Sequence, residues 1–429
     1  MSDLVDLFPP GAAVAEGGDL VVGGCRLRDL AAEFGTPAYV VDERALRARA
    51  REYRDELAAR WEDSLAIFAS KAFPCTAGLR AVAQEGLGCD VAGAGELVHA
   101  VAAGVDPARI YLHGNAKTDE DLERAIDAGV GTVVIDNLDD VDRLERLVRD
   151  EQAVLVRVIP GVRPETHAAV ATGQEDSKFG LAPADARRAI ERLRGSDRLR
   201  LDGLHVHIGS QILDAAPFGQ AVQALAAYGE FAVYDLGGGL GARYTYDDRP
   251  PSVAEYLDVL VGAAREHLPS AARLVIEPGR SLVARAGVTI YSVVTVKRGA
   301  RTFVAVDGGM GDNLEVSLYG QRFEATVVDR VGGGEEVDLV GRHCESGDVL
   351  SAGVALRDPR VGDVVAVPVT GAYCFTMSNN YNANLRPPVV LCSDGVARLA
   401  VRRETPDDLM AREVLVRSAP PVPASAGSA

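Results

Sequence analysis

The sequence predicts an α/β protein, in which a TIM-like barrel of eight parallel strands is followed by a second, mostly antiparallel β domain. Between residues 42 and 282, short apolar runs alternate eight times with amphipathic segments, and about 250 residues is the usual size of such a barrel. From residue 283 the segments become rich in Val and Thr, with turns marked by Gly and Asp, which is typical of β-sheet. A chain of 429 residues is also long enough for two domains.

The eight predicted barrel strands are LAIFAS, LGCDVA, RIYLHG, TVVIDN, VLVRVI, LHVHIGS, FAVYDL and RLVIEPG, in that order. The segments between them place charge on one face and Ala or Leu on the other, as helices around a barrel do. Residues 1–41 contain two strand-like runs, LVVGGCRL and PAYVVD, which we expect to pair with the β domain. That domain should cover residues 283–416, and the Pro-, Ala- and Ser-rich tail 417–429 should be disordered.

Composition argues against several classes of partner. The formal charge of −17 repels nucleic acid and anionic lipid, and no apolar stretch approaches the roughly 20 residues of a membrane helix. The N-terminus has no basic region followed by an apolar run, so we expect a cytoplasmic protein. Its six cysteines lack metal-ligand spacing, which favours reduced thiols and predicts no metal site.

Polar residues at the carboxyl ends of barrel strands are candidates for the active site. Lys71 closes the first strand, where it should share the inward face with Ile67 and Ala69. A phosphate site is expected after strands seven and eight, at the glycines 237–239 and at the Gly279-Arg280 pair. The stretch GGGLGA also fits a dinucleotide fingerprint, but that fingerprint belongs in the first βα turn, and six strands precede the one that leads into it here.

An inward lysine, a phosphate site and a nearby carboxylate predict pyridoxal phosphate. This cofactor needs a lysine for its Schiff base and a group that sets the protonation of its ring nitrogen, a role that Glu277 fits. Glu277 could instead be a structural ion-pair partner. His205 and His207 share a face of strand six; we expect His205 to be a core residue and His207 to stack on the cofactor ring.

The chain resembles the diaminopimelate decarboxylases of the ornithine/diaminopimelate/arginine decarboxylase family. The resemblance covers roughly residues 30–415 and rests on motifs that occur in the family's order: ASKAF, GCDVAGAGEL, HGNAKTDEDL, TGQEDSKFG, GLHVHIGSQI, YDLGGGLGARY, EPGR, VAVDGGM, HCESGD and TGAYCFTMSNNYN. It implies a barrel of the alanine-racemase type, decarboxylation of meso-2,6-diaminopimelate to L-lysine, and a homodimer that shares its active sites.

The resemblance assigns roles to residues by position. The residues assigned to the cofactor are Lys71, Asp90, His207, Ser210, Gly237, Gly238, Gly239, Glu277, Gly279, Arg280 and Tyr373. Those assigned to the substrate are Arg280, Glu315, Tyr319, Glu345 and Tyr373. Cys344 matches the cysteine that reprotonates the substrate carbon, and it should reach the cofactor of the partner chain together with Glu345.

One position departs from the family pattern. Glu315 in DNLEVSLYG stands where these enzymes usually have an arginine that holds a substrate carboxylate, although Tyr319 is retained. An acid there costs attraction for the substrate carboxylate and adds repulsion; Arg280 remains, and Arg386 or another nearby base could compensate. The alternatives are a decarboxylase of the same fold that acts on ornithine, arginine or a carrier-tethered amino acid, a regulatory homologue without catalysis, and an amino-acid racemase.

Overall fold

The computed structural model describes residues 5–162 and 177–414, and it contains the predicted barrel. The barrel strands are β5 (Ser64–Ala69), β6 (Gly88–Val91), β7 (Ile110–Leu112), β8 (Thr132–Ile135), β9 (Gln152–Arg157), β10 (Leu199–His205), β11 (Val233–Asp235) and β12 (Arg273–Ile276). In the described part of the chain, these eight strands are parallel and close through the pairing of β12 with β5. The predicted barrel is therefore confirmed, with its strands in the predicted order.

Helices surround the barrel and follow its strands. They are α2 (Glu43–Arg60), α3 (Thr76–Gln84), α4 (Ala94–Ala103), α5 (Asp119–Asp127), α6 (Leu138–Leu147), α7 (Pro183–Arg194), α8 (Ala216–Leu225), α9 (Val253–His267) and the short α10 (Arg280–Val283). Several begin at side-chain caps that the sequence encodes: α5 and α9 start with capping boxes at Thr118 and Ser252, and Asp42 caps α2. Their apolar faces form the main core against the barrel, whose interior is filled by residues such as Ile67, Leu155 and Val275.

The second domain is built on a nine-stranded sheet. Its elements are β13 (Gly287–Arg298), β14 (Thr302–Val306), α11 (Leu314–Tyr319), β15 (Thr326–Val327), β16 (Glu335–Val340), β17 (Val349–Leu356), β18 (Val364–Pro368), β19 (Val389–Ser393), β20 (Val396–Val401) and α12 (Pro406–Met410). Most pairs are antiparallel, but β14 pairs with β16 in parallel. The predicted, mostly antiparallel β domain is thus confirmed.

The N-terminal segment divides between two sheets. Its elements are β1 (Ala13–Val14), β2 (Leu20–Val22), β3 (Cys25–Arg26), α1 (Leu27–Phe34) and β4 (Ala38–Asp42). The strand β4 lies in the sheet of the second domain, between β13 and β19. The strands β1, β2 and β3 form a small sheet of their own, because the glycines of LVVGGCRL turn the chain back within that run. The run also bonds to the β domain, since the Leu20 amide donates to the Val328 carbonyl oxygen and the Gly395 amide donates to the Gly23 carbonyl oxygen. That sheet packs on the β domain through residues such as Leu20 and Val22.

Several expectations extend beyond the described residues. The tail 417–429 and part of the TGQEDSKFG motif, residues 172–176, lie outside them. The domain boundaries stay predictions, although α2 begins at Glu43 and β13 at Gly287. In the described residues, no helix combines the length and apolar character needed to cross a membrane.

Candidate active site at the carboxyl end of the barrel

Lys71 lies at the carboxyl end of the barrel, opposite an acidic side chain. The strand β5 ends at Ala69, so Lys71 does not close the strand as predicted but lies two residues beyond its end, in a 3₁₀ turn, Ser70–Ala72. Ala69 pairs with Asp90 in the sheet, which brings Lys71 close to Asp90. Lys71 Nζ lies 3.6 Å from Asp90 Oδ2. The Lys71 side chain keeps 45 % of its surface accessible, so it faces open space. Burial opposes its charge, but Asp90, followed by Tyr373 and Glu277, raises the pKa of Lys71.

Glu277 is buried among three polar side chains at the end of β12. His113 Nε2 lies 2.8 Å from its Oε1, off the line of an ideal hydrogen bond, and His205 Nε2 lies 3.4 Å from its Oε2. Burial opposes the charge on Glu277, but His113, followed by His205, holds the pKa of this carboxyl well below its usual value. Burial and the charge of Glu277 raise the pKa of the adjacent Asp235 well above its usual value. The two acids thus favour a single negative charge, carried by Glu277.

The two histidines beside Glu277 differ in their protonation. Burial would lower the pKa of His113, but Glu277 and Asp90 raise it. Burial lowers the pKa of His205 to about 4, so its ring stays neutral at physiological pH. His205 is buried as expected, but its Nε2 also contacts Glu277, the carboxylate proposed to bind the ring nitrogen of the cofactor. It is therefore more than a core histidine.

His207 lies two residues beyond the end of β10, at the mouth of the barrel. Burial, and then the charges of Lys71 and Arg157, lower its pKa well below the usual value. Its Nδ1 accepts a hydrogen bond from the Gly238 amide at 3.2 Å, which fixes the ring. A neutral ring held in this way is suited to stacking on a flat cofactor.

The glycine loop after β11 packs closely against its neighbours. A Cβ on Gly238 would lie 2.1 Å from the Glu277 carbonyl oxygen, and Gly237 and Gly239 adopt φ of 68° and 118°. The Gly237 amide donates to Asp235 and the Gly238 amide to His207, so both are engaged within the protein. Gly279 also lies at the centre of the site, because its Cβ would come 3.0 Å from that of Ala69. The phosphate role of these glycines stays a prediction.

Arg280 opens α10 and is held by groups from several elements. Its Nε donates to Ser210 Oγ at 3.2 Å, and its Nη1 donates to Tyr244 OH at 2.5 Å and to Glu315 Oε2 at 2.8 Å. The Tyr373 ring lies 4.6 Å from the guanidinium carbon. The Tyr373 amide donates to the Ala72 carbonyl oxygen, which connects this end of the site to the turn that carries Lys71.

Cys344 and Glu345 lie apart from the barrel site of their own chain. Cys344 is exposed, and its amide donates to Asn382 Oδ1 at 2.8 Å. Tyr381 OH donates to Glu345 Oε2 at 3.5 Å. Among the described residues, neither Cys344 nor Glu345 forms a hydrogen bond or ion pair with the barrel residues of the site.

Glu315 forms its ion pair with Arg280 and not with Arg386. Arg386 binds Glu404 through its Nε at 2.6 Å, so it does not serve Glu315. Arg280 does, while Tyr319 stays beside Glu315 on α11.

Sequence reasoning missed four residues of the site. Of these, His113, Arg157 and Asp235 end or follow barrel strands, so the strand-end rule could have identified them. Tyr244 gave no local signal, because only tertiary packing brings its hydroxyl to Arg280. Arg157 is buried at the end of β9, 3.6 Å from Asp136.

The side chains of the site suit pyridoxal phosphate. They provide an accessible amine on Lys71, a buried carboxylate kept charged at Glu277 and a neutral ring at His207. His113, His205, Asp235 and Glu277 also bring ligand atoms within 4.8 Å of one another, a spacing that a metal ion can use. Without a metal ion, the contacts of His113 and His205 with Glu277 are those of titratable groups that share protons.

Comparisons with known proteins agree with this site. Residues 43–284 match the pyridoxal binding domain of the pyridoxal-dependent decarboxylases. The chain is 49% identical to a diaminopimelate decarboxylase of Actinosynnema pretiosum subsp. auranticum, over 95% of both chains. It is 40% identical to the Bacillus subtilis enzyme, over 92% of this chain and 94% of that one.

A solved structure gives the same picture. The crystal structure of diaminopimelate decarboxylase from M. jannaschii in complex with L-lysine shares 30% identity, with a TM-score of 0.88 over 94% of this chain and 98% of that one. The fold, the site and the relatives agree, and the chain belongs to the diaminopimelate decarboxylase family of pyridoxal-dependent decarboxylases.

Proposed function

We propose that this protein is a pyridoxal phosphate enzyme that decarboxylates meso-2,6-diaminopimelate to L-lysine and CO₂, the last step of lysine biosynthesis. The observation that carries the proposal is the site itself, with Lys71 opposite Asp90 and beside a charged Glu277, in a chain 49% identical to a diaminopimelate decarboxylase. The substrate is accordingly a small amino acid.

The residues of the barrel divide the work by position. Lys71 would supply the amine that anchors the cofactor and that the amine of the substrate would replace. Glu277, kept charged by His113, holds a proton on the ring nitrogen, and His207 supports the face of the ring. When bound, pyridoxal phosphate provides a sink for the electron pair left behind as CO₂ departs.

The remaining roles concern the substrate and the phosphate. The glycine loop, Gly279, Ser210 and Arg280 would hold the phosphate, with Tyr373 packed on Arg280. Tyr319 and Glu345 contact the substrate. Cys344 returns a proton from its Sγ to the carbon that has lost CO₂.

The proton donor requires a second chain. Because Cys344 and Glu345 lie apart from the barrel site of their own chain, we infer a homodimer in which these residues complete the partner's site. Mixing inactive Lys71→Ala and Cys344→Ala chains should restore part of the activity, since one site of a mixed dimer then has both residues. If the mixture forms dimers and stays inactive, the shared site is wrong.

The substrate is tested with purified holoenzyme and separate samples of meso-diaminopimelate, ornithine, arginine and lysine. Release of CO₂ and formation of amine products are followed, and L-lysine from diaminopimelate is the expected product. Cofactor binding without turnover of any substrate would favour a regulatory homologue.

A second candidate is a decarboxylase of the same fold that acts on another amino acid. The observation that favours it is the ion pair between Glu315 and Arg280, which occupies the arginine expected near a substrate carboxylate. Turnover of ornithine or arginine in place of diaminopimelate would support this candidate.

A location in the cytoplasm stays a prediction.

A further inference from the structure

A buried ion pair joins the two domains at the substrate end of the site. Arg280 comes from α10, at the end of the barrel, and Glu315 comes from α11 in the β domain. Their side chains are 6% and 1% exposed, and Arg280 Nη1 lies 2.8 Å from Glu315 Oε2. The positive charge of Arg280 is therefore cancelled within the protein.

The other contacts of Arg280 leave it little freedom to exchange partners. Ser210 and Tyr244 accept hydrogen bonds from its Nε and Nη1, and Tyr373 covers the guanidinium. If Arg280 turned to a substrate carboxylate, Glu315 would be left as an uncompensated buried charge, which is strongly unfavourable. Among the described residues, Glu315 Oε1 already lacks a hydrogen-bond partner.

The pair lies beside the reacting end of the site. Tyr373 packs on Arg280, and its backbone amide binds the turn that carries Lys71. Tyr373 also contributes to the electrostatic environment of both cations. A substrate held near Lys71 is therefore close to an ion pair of Arg280 and Glu315 that has no net charge. Among the described residues, Glu315 Oε1 in this pair has no hydrogen-bond donor.

This charge pattern disfavours a substrate with a second carboxylate. The meso substrate has one D and one L centre, and its conversion to L-lysine consumes the D centre. The L centre keeps a carboxylate that needs a cation, and an ammonium that needs an anion. Loss of that far carboxylate alone turns meso-diaminopimelate into D-lysine, which keeps the reacting centre and the far ammonium.

We propose that Glu315 is a specificity-determining residue, which makes this site accept diamino monocarboxylic acids with a D reacting centre, such as D-lysine, alongside the dicarboxylate. The proposal rests on the function proposed above and extends its substrate class. The reaction breaks the bond between Cα and the carboxyl carbon, releases CO₂, and places a proton on Cα. D-lysine and one proton, which solvent returns to the proton donor, thus give 1,5-diaminopentane and CO₂.

The test compares the holoenzyme with three variants. Glu315→Gln removes the charge and keeps the hydrogen bond, and Glu315→Arg reverses the charge. Glu335→Gln is a matched control, because Glu335 pairs with Arg298 at 2.9 Å on an exposed part of the same domain. For each protein, kcat/KM is measured with meso-diaminopimelate, D-lysine and L-lysine, and the products are identified by chromatography.

We expect the wild-type enzyme to form 1,5-diaminopentane from D-lysine. The ratio of kcat/KM for D-lysine to that for diaminopimelate should fall roughly tenfold in Glu315→Gln and about a hundredfold in Glu315→Arg. Glu335→Gln should keep the wild-type ratio.

A binding measurement protects the test against loss of folding in Glu315→Arg. L-lysine and 1,5-diaminopentane differ only by a carboxylate, so calorimetric titration of wild-type and Glu315→Gln holoenzyme with each compound isolates its effect. The Gln variant should gain affinity for L-lysine relative to the diamine.

Three results would overturn the inference. If the wild-type enzyme forms L-lysine from diaminopimelate but no diamine from D-lysine, the proposed function stands and the role of Glu315 fails. The same holds if the kcat/KM and affinity ratios are unchanged in Glu315→Gln. If the holoenzyme decarboxylates neither substrate, the proposed function and the inference fail together.

Discussion

The two ends of the site hold a buried carboxylate in opposite ways. Glu277 faces two histidines and a second acid, which are side chains that can change their protonation state. Glu315 faces an arginine, which keeps its charge at every accessible pH. The cofactor end can therefore be tuned by protonation, whereas the substrate end has a fixed charge pattern.

The most severe change removes the residue that lies between the two ends. Lys71→Ala should abolish turnover, because it removes the accessible amine that faces Asp90 and is proposed to anchor the cofactor. The visible absorbance of the lysine-linked cofactor should vanish as well. Turnover at the wild-type rate would show that Lys71 has another role.

The next change tests the cofactor end alone. Glu277→Gln removes the charge that holds a proton on the ring nitrogen, so kcat should fall roughly 10²–10³-fold while the cofactor stays bound. The check combines kcat with the absorbance of the bound cofactor. An unchanged kcat would assign Glu277 to a structural ion pair.

The substrate end should respond through stability. Arg280→Gln leaves Glu315 buried without a counter-ion and should lower the free energy of unfolding by about 3–5 kcal/mol. The double variant Arg280→Gln/Glu315→Gln should recover most of that loss. Both are measured by denaturant unfolding, with Glu335→Gln as an exposed control that should change by about 0–1 kcal/mol. Equal losses in the single and double variants would contradict the pairing.

The smallest effect should appear as a pH dependence at the cofactor end. The pKa of His113 is raised in the folded protein, so its charge stabilises the fold fully below the unfolded value, about 6.5. This contribution is lost as the pH rises through the higher, folded pKa. His113→Asn should lower the free energy of unfolding by about 1–3 kcal/mol at low pH and less above neutrality. Parallel pH curves for the two proteins would exclude this role.

The sequence allowed the barrel, and the location of its site, to be predicted from local rules. Strand periodicity and glycine-rich turns identify Lys71, the loop 237–239 and Gly279, because these features are set by neighbours along the chain. Lys71 nevertheless lies in a 3₁₀ turn beyond its strand, since the period-two pattern does not mark where a strand ends.

The rest depended on contacts between distant segments. The ion pair between Glu315 and Arg280 could not be predicted from the sequence, because the two residues are 35 positions apart and lie in different domains. The contact of His205 with Glu277 likewise depends on the curvature of the closed barrel. Such contacts join residues that are distant in the sequence, so local sequence patterns do not predict them.

The strand β4 gives the chain an unusual order of assembly. Its partners β13 and β19 are synthesised only after every barrel strand, because Gly287–Arg298 and Val389–Ser393 follow them in the sequence. Until then both edges of β4 lack their partner strands, although α2, whose N-cap is the last residue of β4, can already form. A cut at residue 283 would therefore not yield two independent halves, since it leaves the β domain without a strand from the interior of its sheet.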